Sequence, residues 1–173
     1  MQDNRALVRS NKGVASLALA AGLVCWCLAV MVIPAHSGGP LPTSFGQTLY
    51  VPAFSQIALD QGRFQPLASN LIVHNVDPER SITVTGVAYY DSAGALVRRF
   101  LDEPVTLTSF ASYEALVPLR EQEGGIGANF IVTWEAEEAA LPPHVEAVMI
   151  GGTGTLGISF SSRARVIAEA EPR

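Results

Sequence analysis

The chain has 173 residues, of which 49% are hydrophobic and 16% charged, and its formal net charge is −5 at pH 7. This length suits one domain and an appendage, and the apolar share excludes a disordered chain. The acidic balance argues against a nucleic-acid-binding protein, because neutralisation of phosphates by Lys and Arg supplies most of that affinity.

The first predicted element is an apolar helix. Residues 1–13 hold three basic side chains and one acidic one, and residues 14–33 hold no charged side chain. As a helix at ~1.5 Å per residue the second segment is about 30 Å long, which is the thickness of the bilayer core. Since no Lys or Arg follows until Arg63, the positive-inside rule predicts a cytoplasmic basic flank and an exported remainder.

Two interpretations of residues 14–33 stay open, an uncleaved signal anchor and a signal peptide cut after Ala35 or Ser37. Signal-peptide h-regions run about 7–15 residues, so the length favours the anchor. The protein is then a single-pass protein of the cytoplasmic membrane, with its C-terminal domain in the periplasm or outside. Cleavage would make it a secreted protein. Cys25 and Cys27 lie in this segment at positions i and i+2, which face apart on a helix, so we predict no disulfide.

Residues 34–46 are rich in Gly, Pro and Ser and are predicted to form a linker. A domain is predicted over residues 47–168 and a short tail over residues 169–173. Beyond residue 37 the chain keeps 8 Arg, no Lys and 15 acidic residues, a net charge of 8 − 15 = −7. We therefore expect no binding to nucleic acid or to an anionic lipid surface.

The domain is predicted to consist of short strands separated by turns. The candidate strands are QTLYVPAFSQIAL, ASNLIVHNV, SITVTGVAYY, ALVRRFL, VTLTSF with ASYEALVPL, ANFIVTWEAE, VEAVMIG and GISFSSRARVI. Phe130, Val132 and Trp134 share one face of their strand, as Ile158 and Phe160 do, so these five residues are the predicted core. The pattern predicts an all-β fold, a single antiparallel β-sandwich that is Ig-like in outline, with a small closed barrel as the alternative.

Three turn signals support this fold class. Pro78 in VDPERS suits a type I turn. Asp91 and Gly94 in YYDSAGAL are typical of a short hairpin loop in which Gly adopts a left-handed conformation. Gly86 interrupts the alternation of SITVTGVAYY and predicts a bulge.

The string GGTGTLG raises the question of a nucleotide site, because Gly152, Gly154 and Gly157 match the G-x-G-x-x-G spacing. A dinucleotide-binding turn needs a helix directly after the glycines, and here the strand-like ISFSSRARV follows. We therefore predict a flexible turn between antiparallel strands and no nucleotide. The alternative is a backbone nest that binds an anion with help from Arg163 and Arg165.

Arg163 and Arg165 are two residues apart, so a continuous strand would place them on one face. Glu135 and Glu137 have the same spacing on their own strand. We expect the two pairs to meet across the sheet if these strands are antiparallel neighbours.

Long strings of the chain resemble a known family. DPERSITVTGVAYYDSAGALVRRFLDEPVTL, GANFIVTWEAE and EAVMIGGTGTLGISFSSRARVI are similar to the bacterial domain-of-unknown-function family numbered 3124. The resemblance covers roughly residues 49–167. It implies an exported bacterial protein with an N-terminal export segment before one small domain. It implies no reaction and therefore no catalytic residue.

The residues available for catalysis are few. The histidines are His36, His74 and His144, and none belongs to an H-E-x-x-H or H-x-H motif. The chain also lacks a G-x-S-x-G elbow and a Walker loop. We predict no metal, no cofactor and no catalytic constellation.

Two polar turns form the predicted ligand or partner site, because loops on a rigid β scaffold commonly carry binding function. The site residues are His74, Asp77, Glu79 and Arg80 at the first turn, and Tyr89, Tyr90 and Asp91 at the second. Plain turn chemistry with core tyrosines is the alternative. The sequence thus predicts an exported module that binds a protein or cell-envelope partner without catalysis. A small extracytoplasmic hydrolase or lyase that uses His74 and a carboxylate is the alternative function.

Overall fold

The computed structural model describes residues 41–153 and 156–170, and these residues form twelve β-strands and one 3-10 helix. The strands are β1 (Ser44–Pro52), β2 (Gln56–Asp60), β3 (Arg63–Pro66), β4 (Ala68–His74), β5 (Ile82–Tyr90), β6 (Leu96–Arg99), β7 (Val105–Leu107), β8 (Ser112–Val117), β9 (Asn129–Ala140), β10 (His144–Thr153), β11 (Leu156–Arg163) and β12 (Arg165–Glu169). The 3-10 helix is Gly125–Gly127. The all-β prediction is confirmed.

The strands form two large sheets and one separate hairpin, and every pairing is antiparallel. The first sheet has six strands in the order β12-β1-β9-β5-β6, with β7 also paired to β5. The second sheet has four strands in the order β11-β10-β4-β8. The hairpin consists of β2 and β3.

Alternating burial explains why the central segments are strands. In β9 the side chains of Phe130, Val132 and Trp134 are at most 2% exposed, and the residues between them are half-buried. These three core predictions are confirmed. Phe160 is partly buried against the same core. The prediction that Ile158 is a core residue is wrong, because its side chain is half-buried and lines a groove described below.

Both large sheets contribute to one hydrophobic cluster. The first sheet supplies members from β1, β5, β7 and β9, and the second supplies members from β4, β8 and β10. The tightest aromatic contact in it joins Tyr89 and Phe130, with ring centroids 4.9 Å apart. The described domain holds no cysteine, so this packing replaces covalent cross-links.

Two predicted turn features are confirmed. Gly94 has a φ of +81°, and its N–H donates to the carbonyl oxygen of Asp91 over 3.0 Å. The Asp91 carboxylate accepts the N–H groups of Ala93 and Ala95, which closes the β5–β6 hairpin. The register of β5 on β9 shifts between Val84 and Gly86, which is the predicted bulge.

The observed strands differ from the predicted ones in three places. QTLYVPAFSQIAL is divided between β1 and β2, because the N–H groups of Ala53 and Ser55 bond to Ala128 and Gly125 instead of continuing a strand ladder. β3 is an additional strand. GISFSSRARVI is divided at Ala164, where the chain leaves β10 and joins β1.

This division makes the predicted pairing of two arginines with two glutamates wrong. Arg163 lies opposite Glu146 in the second sheet, whereas Arg165 lies opposite Tyr50 in the first. Glu135 lies on β9, whose neighbours are β1 and β5. The strands that carry the two predicted pairs are therefore not adjacent.

In the described ranges, 41–153 and 156–170, no helix has the length and apolarity needed to cross a membrane. The predicted helix over residues 14–33, with both cysteines, and the linker histidine His36 lie outside the described residues.

Candidate functional site

A groove of about 990 Å³ opens at one end of the domain. We call this end the groove end: β1 and β5 finish there, and β9 begins there, since Pro52 and Tyr90 both lie opposite Asn129. Three separate segments line the groove, namely the β2–β3 hairpin, the loop after β8 and the β10–β11 hairpin. Its described lining residues are Leu59, Arg63, Phe64, Gln65, Pro66, Leu119, Arg120, Gln122, Gly152, Gly157 and Ile158.

The β2–β3 hairpin forms one wall, and its turn follows from the sequence DQGR. Gly62 has a φ of +71°, and the Asp60 carboxylate accepts the N–H of Gln61 over 2.7 Å. This turn signal was missed at the sequence level. The short hairpin leaves Leu59 and Phe64 each 47% exposed, an unusual placement for large apolar side chains.

Gln65 fastens the hairpin to the second sheet. Its side chain is 6% exposed, and Nε2 donates to the carbonyl oxygens of Pro66 over 3.0 Å and Gly152 over 3.4 Å. A buried amide bonded in this way fixes the distance between two backbones, because an unmet polar group would cost free energy. The hairpin wall is thus held against the strand that carries the glycine string.

The glycine string forms the second wall. Gly152 lies opposite Gly157 in the β10–β11 ladder, so the string joins two antiparallel strands and precedes no helix. The predicted antiparallel strands on either side of the string are confirmed, and residues 154 and 155 between them lie outside the described residues. Gly151 is the glycine that packing requires, because a Cβ there would lie 2.6 Å from the Pro66 carbonyl oxygen. Gly154 of the predicted anion nest lies outside the described residues.

The loop after β8 forms the third wall and is anchored at several points. The N–H of Glu121 donates to the carbonyl oxygen of Pro118 over 2.9 Å, and the N–H of Ser92 donates to that of Gly124 over 2.9 Å. The Glu121 carboxylate also pairs with Arg98 over 2.9 Å. The anchored loop presents Leu119, 47% exposed, and Arg120 to the groove.

The groove is basic within an acidic domain. Residues 41–170 hold 14 acidic and 7 basic side chains, yet the described lining of the groove includes two arginines and no carboxylate. Neither Arg63 nor Arg120 forms an ion pair within the described part of the chain. Guanidinium groups beside apolar walls favour a ligand that combines negative charge with apolar surface.

The first predicted turn lies at the opposite end of the domain, where β4 ends and β5 begins. Asp77 is 2% exposed, and its carboxylate accepts the N–H groups of Leu141, Glu79 and Arg80, each over 2.9 Å. These backbone donors, that of Leu141 above all, hold the pKa of Asp77 below its ordinary value. The side chain of Asp77 therefore braces the turn.

Asn75 completes this brace, and the sequence analysis did not single it out. Its Nδ2 donates to the carbonyl oxygens of Arg80 over 2.8 Å, Leu107 over 3.0 Å and Thr108 over 3.1 Å. Its Oδ1 accepts the N–H of Asp77 over 3.0 Å. One buried amide thus connects the turn to the end of β7.

The other two residues of this turn line a small polar cavity of about 390 Å³. Glu79 and Arg80 lie there with Glu137 and Glu138 of β9. Arg80 Nε is 3.4 Å from a Glu138 carboxylate oxygen, and both side chains are largely exposed. Exposed pairs of this kind contribute about 0–1 kcal/mol to stability.

The second predicted turn does not meet the first. Strand β5, Ile82–Tyr90, separates them by about 26 Å at the usual rise per residue. Tyr89 is 2% exposed, and its hydroxyl donates to the carbonyl oxygen of Ala53 over 3.2 Å. Burial raises the pKa of this phenol. Tyr90 is half-buried, and Asp91 forms the hairpin turn.

His74 and His144 lie directly opposite each other on β4 and β10, with ring centroids 6.4 Å apart. His144 Nε2 is 3.7 Å from a carboxylate oxygen of Glu146. Alternation places these side chains on the face of the second sheet that points away from Val73 and Val145 of the core. His74 lines neither of the two cavities described above.

Comparison with known families decides the classification. The family described as protein of unknown function (DUF3124) matches residues 46–167. The chain belongs to this family. The match extends from β1 to β12 and includes every described groove residue of the DUF3124 domain.

Two further comparisons concern individual proteins. No curated protein matches this DUF3124 chain. Among solved structures, the chain is similar to the crystal structure of Thermotoga maritima 1070, with a TM-score of 0.44 and 8% sequence identity. That alignment covers 72% of this chain and 97% of the other.

The chemical groups at the groove of the DUF3124 domain are hydrogen-bond donors and apolar side chains. Among residues 41–153 and 156–170, no group of three or more His, Cys, Asp or Glu side chains is arranged to hold a metal ion. The groove offers guanidinium and amide donors beside apolar walls, and its described lining includes no nucleophile and no general base.

Proposed function

We propose that this DUF3124 protein is an exported, membrane-tethered β-sandwich that binds a cell-envelope partner or ligand in its groove without catalysis. Two features of the sequence support the membrane tether. Residues 14–33 carry no charged side chain, and they follow a basic flank, which together are the pattern of a signal anchor. A reporter that is active only outside the cytoplasm, fused after Arg173, should be active, and the intact mass of the mature protein will distinguish an anchor from a cleaved signal.

The sandwich arrangement is part of the same proposal. It is supported by the single cluster that draws side chains from both large sheets. It is also supported by bonds between the segment that follows β1 and the start of β4. The Leu67 N–H donates to the carbonyl oxygen of Ser55, and the Ser69 hydroxyl donates to that of Phe54. An Ig-like outline of two antiparallel sheets around one core accounts for these contacts.

The observation that carries the binding function is the groove itself. Three segments distant in sequence hold large apolar side chains half-exposed around one concave space, and each segment is fixed by hydrogen bonds. Fixed concave sites with apolar walls and a few polar groups are typical of ligand-binding sites. The predicted turn at His74 has a different character, since its most buried side chains brace the backbone.

Site-specific photo-crosslinking in native membranes tests this proposal. A photoreactive phenylalanine analogue is placed at Phe64 in the groove or, as the matched control, at Val76, which is 39% exposed in the opposite turn. We expect a discrete crosslinked species from position 64 and none from position 76. Crosslinking from position 76 alone would move the site to the predicted turn and contradict the groove proposal.

A further inference from the structure

We propose that the groove binds a single-chain anionic amphiphile of the fatty-acid type, with the carboxylate held by Arg63 and Arg120. This inference rests on the proposed function, which requires only that something binds in the groove. It goes further because the residues define two chemically different parts of the ligand.

The apolar part follows from four side chains. Leu59, Phe64 and Leu119 are each 47% exposed, and Ile158 is half-buried beside them. Large apolar side chains gathered around one concave space are buried when an apolar ligand enters, and each methylene buried with them strengthens binding about fourfold. An alkyl chain meets this requirement.

The acidic part follows from the two arginines. No ion pair involves either guanidinium within the described residues, and the described lining holds no carboxylate that would compete for them. The planar guanidinium fork matches a carboxylate in a bidentate geometry. In a domain with twice as many acidic as basic side chains, this groove is a local exception that selects for an anion.

Size separates this ligand from a protein partner. The groove of about 990 Å³ lies at the upper end of the ~300–1,000 Å³ range of small-molecule sites. A stable protein–protein interface covers about 800 Å² of each partner and is usually flatter. One alkyl chain with one acidic head group is the occupant that uses both the apolar walls and the arginines.

The test uses the full chain in phosphatidylcholine nanodiscs and a photoreactive hexadecanoic acid. We expect adducts in residues 56–66 and 118–122. The double variant Arg63→Gln, Arg120→Gln should be labelled about tenfold less than the wild type, because it loses charged hydrogen bonds to the carboxylate. Arg99→Gln, an exposed arginine outside the groove lining, is the matched control and should label as the wild type does. A photoreactive fatty alcohol of equal length should label the wild type and the double variant equally and weakly.

A variant with less apolar surface and a set of competing lipids test the two parts of the ligand separately. Leu119→Asn removes apolar surface and no charge, so labelling by the acid should fall in this variant too. The proposal of a single-chain carboxylate ligand is overturned if the acid and the alcohol label the protein equally. It is also overturned if phosphatidylglycerol displaces the acid probe and unlabelled fatty acid does not. If the acid probe fails while position 64 still crosslinks in native membranes, the ligand class is wrong and the proposed function stands. Failure of both experiments overturns both.

Discussion

The carbonyl oxygen of Pro66 lies 2.6 Å from the position that a β-carbon on Gly151 would occupy. A side chain at residue 151 would therefore push apart β3 and β10, the two strands that carry walls of the groove. This contact explains one glycine of GGTGTLG by packing, independently of any nucleotide.

Gly151→Ala should destabilise the protein by about 1–3 kcal/mol, the usual cost of forcing extra atoms into a packed contact. Gly157→Ala is the matched control, because a β-carbon there meets no atom within 4 Å. Urea unfolding of both variants checks the difference. Equal stability of the two alanine variants would contradict the packing role of Gly151.

Trp134→Ala should lower the free energy of unfolding by about 3–5 kcal/mol, as large aromatic deletions in cores do. Trp134 is 2% exposed in the cluster shared by both sheets. Phe110→Ala is the control, since that ring is 70% exposed and should change stability by less than about 0.5 kcal/mol. An unchanged melting temperature for Trp134→Ala would remove it from the core.

Phe110→Gly should stabilise the protein. Phe110 has a φ of +62°, a left-handed conformation that costs an L side chain about 1–2 kcal/mol and costs glycine almost nothing. Since its ring is 70% exposed, little packing is lost on substitution, and the chain entropy of glycine offsets only about 0.5–1 kcal/mol. A rise in melting temperature over Phe110→Ala is expected, and a fall would show that the ring packs in solution.

Asp77 should make stability depend on pH in the acid range. Its pKa in the folded protein lies below the ordinary value of 3.8, so the unfolded chain binds the proton more tightly. The stabilisation is therefore present above pH 3.8 and is lost as the pH falls from there through the lowered pKa. Urea unfolding between pH 7 and pH 2.5 should show this loss in the wild type and a flatter profile in Asp77→Asn. Asp102→Asn, a substitution at an exposed aspartate, is the matched control.

The strands could be predicted from the sequence because burial on one face leaves a period of two. Phe130, Val132 and Trp134 show this directly. β3 was not predicted because it has only four residues and its large apolar residue Phe64 is half-exposed. The segment therefore shows no alternation of apolar and polar side chains. Division at Ala164 also left no signal, since Arg163 and Arg165 continue the alternation while the chain changes its strand partner.

The groove could not be predicted because its walls come from three segments that lie about 30 or more residues apart in the sequence. Nothing local connects Phe64 with Leu119 or Ile158. The polar residues near His74 attracted attention because the sequence does not show burial. Asp77 is a residue type that often occurs in binding sites. In this fold, however, its carboxylate oxygens accept hydrogen bonds from three backbone N–H groups.

Amide hydrogen exchange of the full chain tests the central claim, that the groove is the binding site, most directly. Exchange is compared between the protein in native membranes and the purified protein in phosphatidylcholine nanodiscs. Occupancy of the groove predicts slower exchange in native membranes across residues 56–66 and 118–124, with residues 75–81 unchanged. Protection confined to residues 75–81, with the two groove segments equal in both samples, would contradict the account.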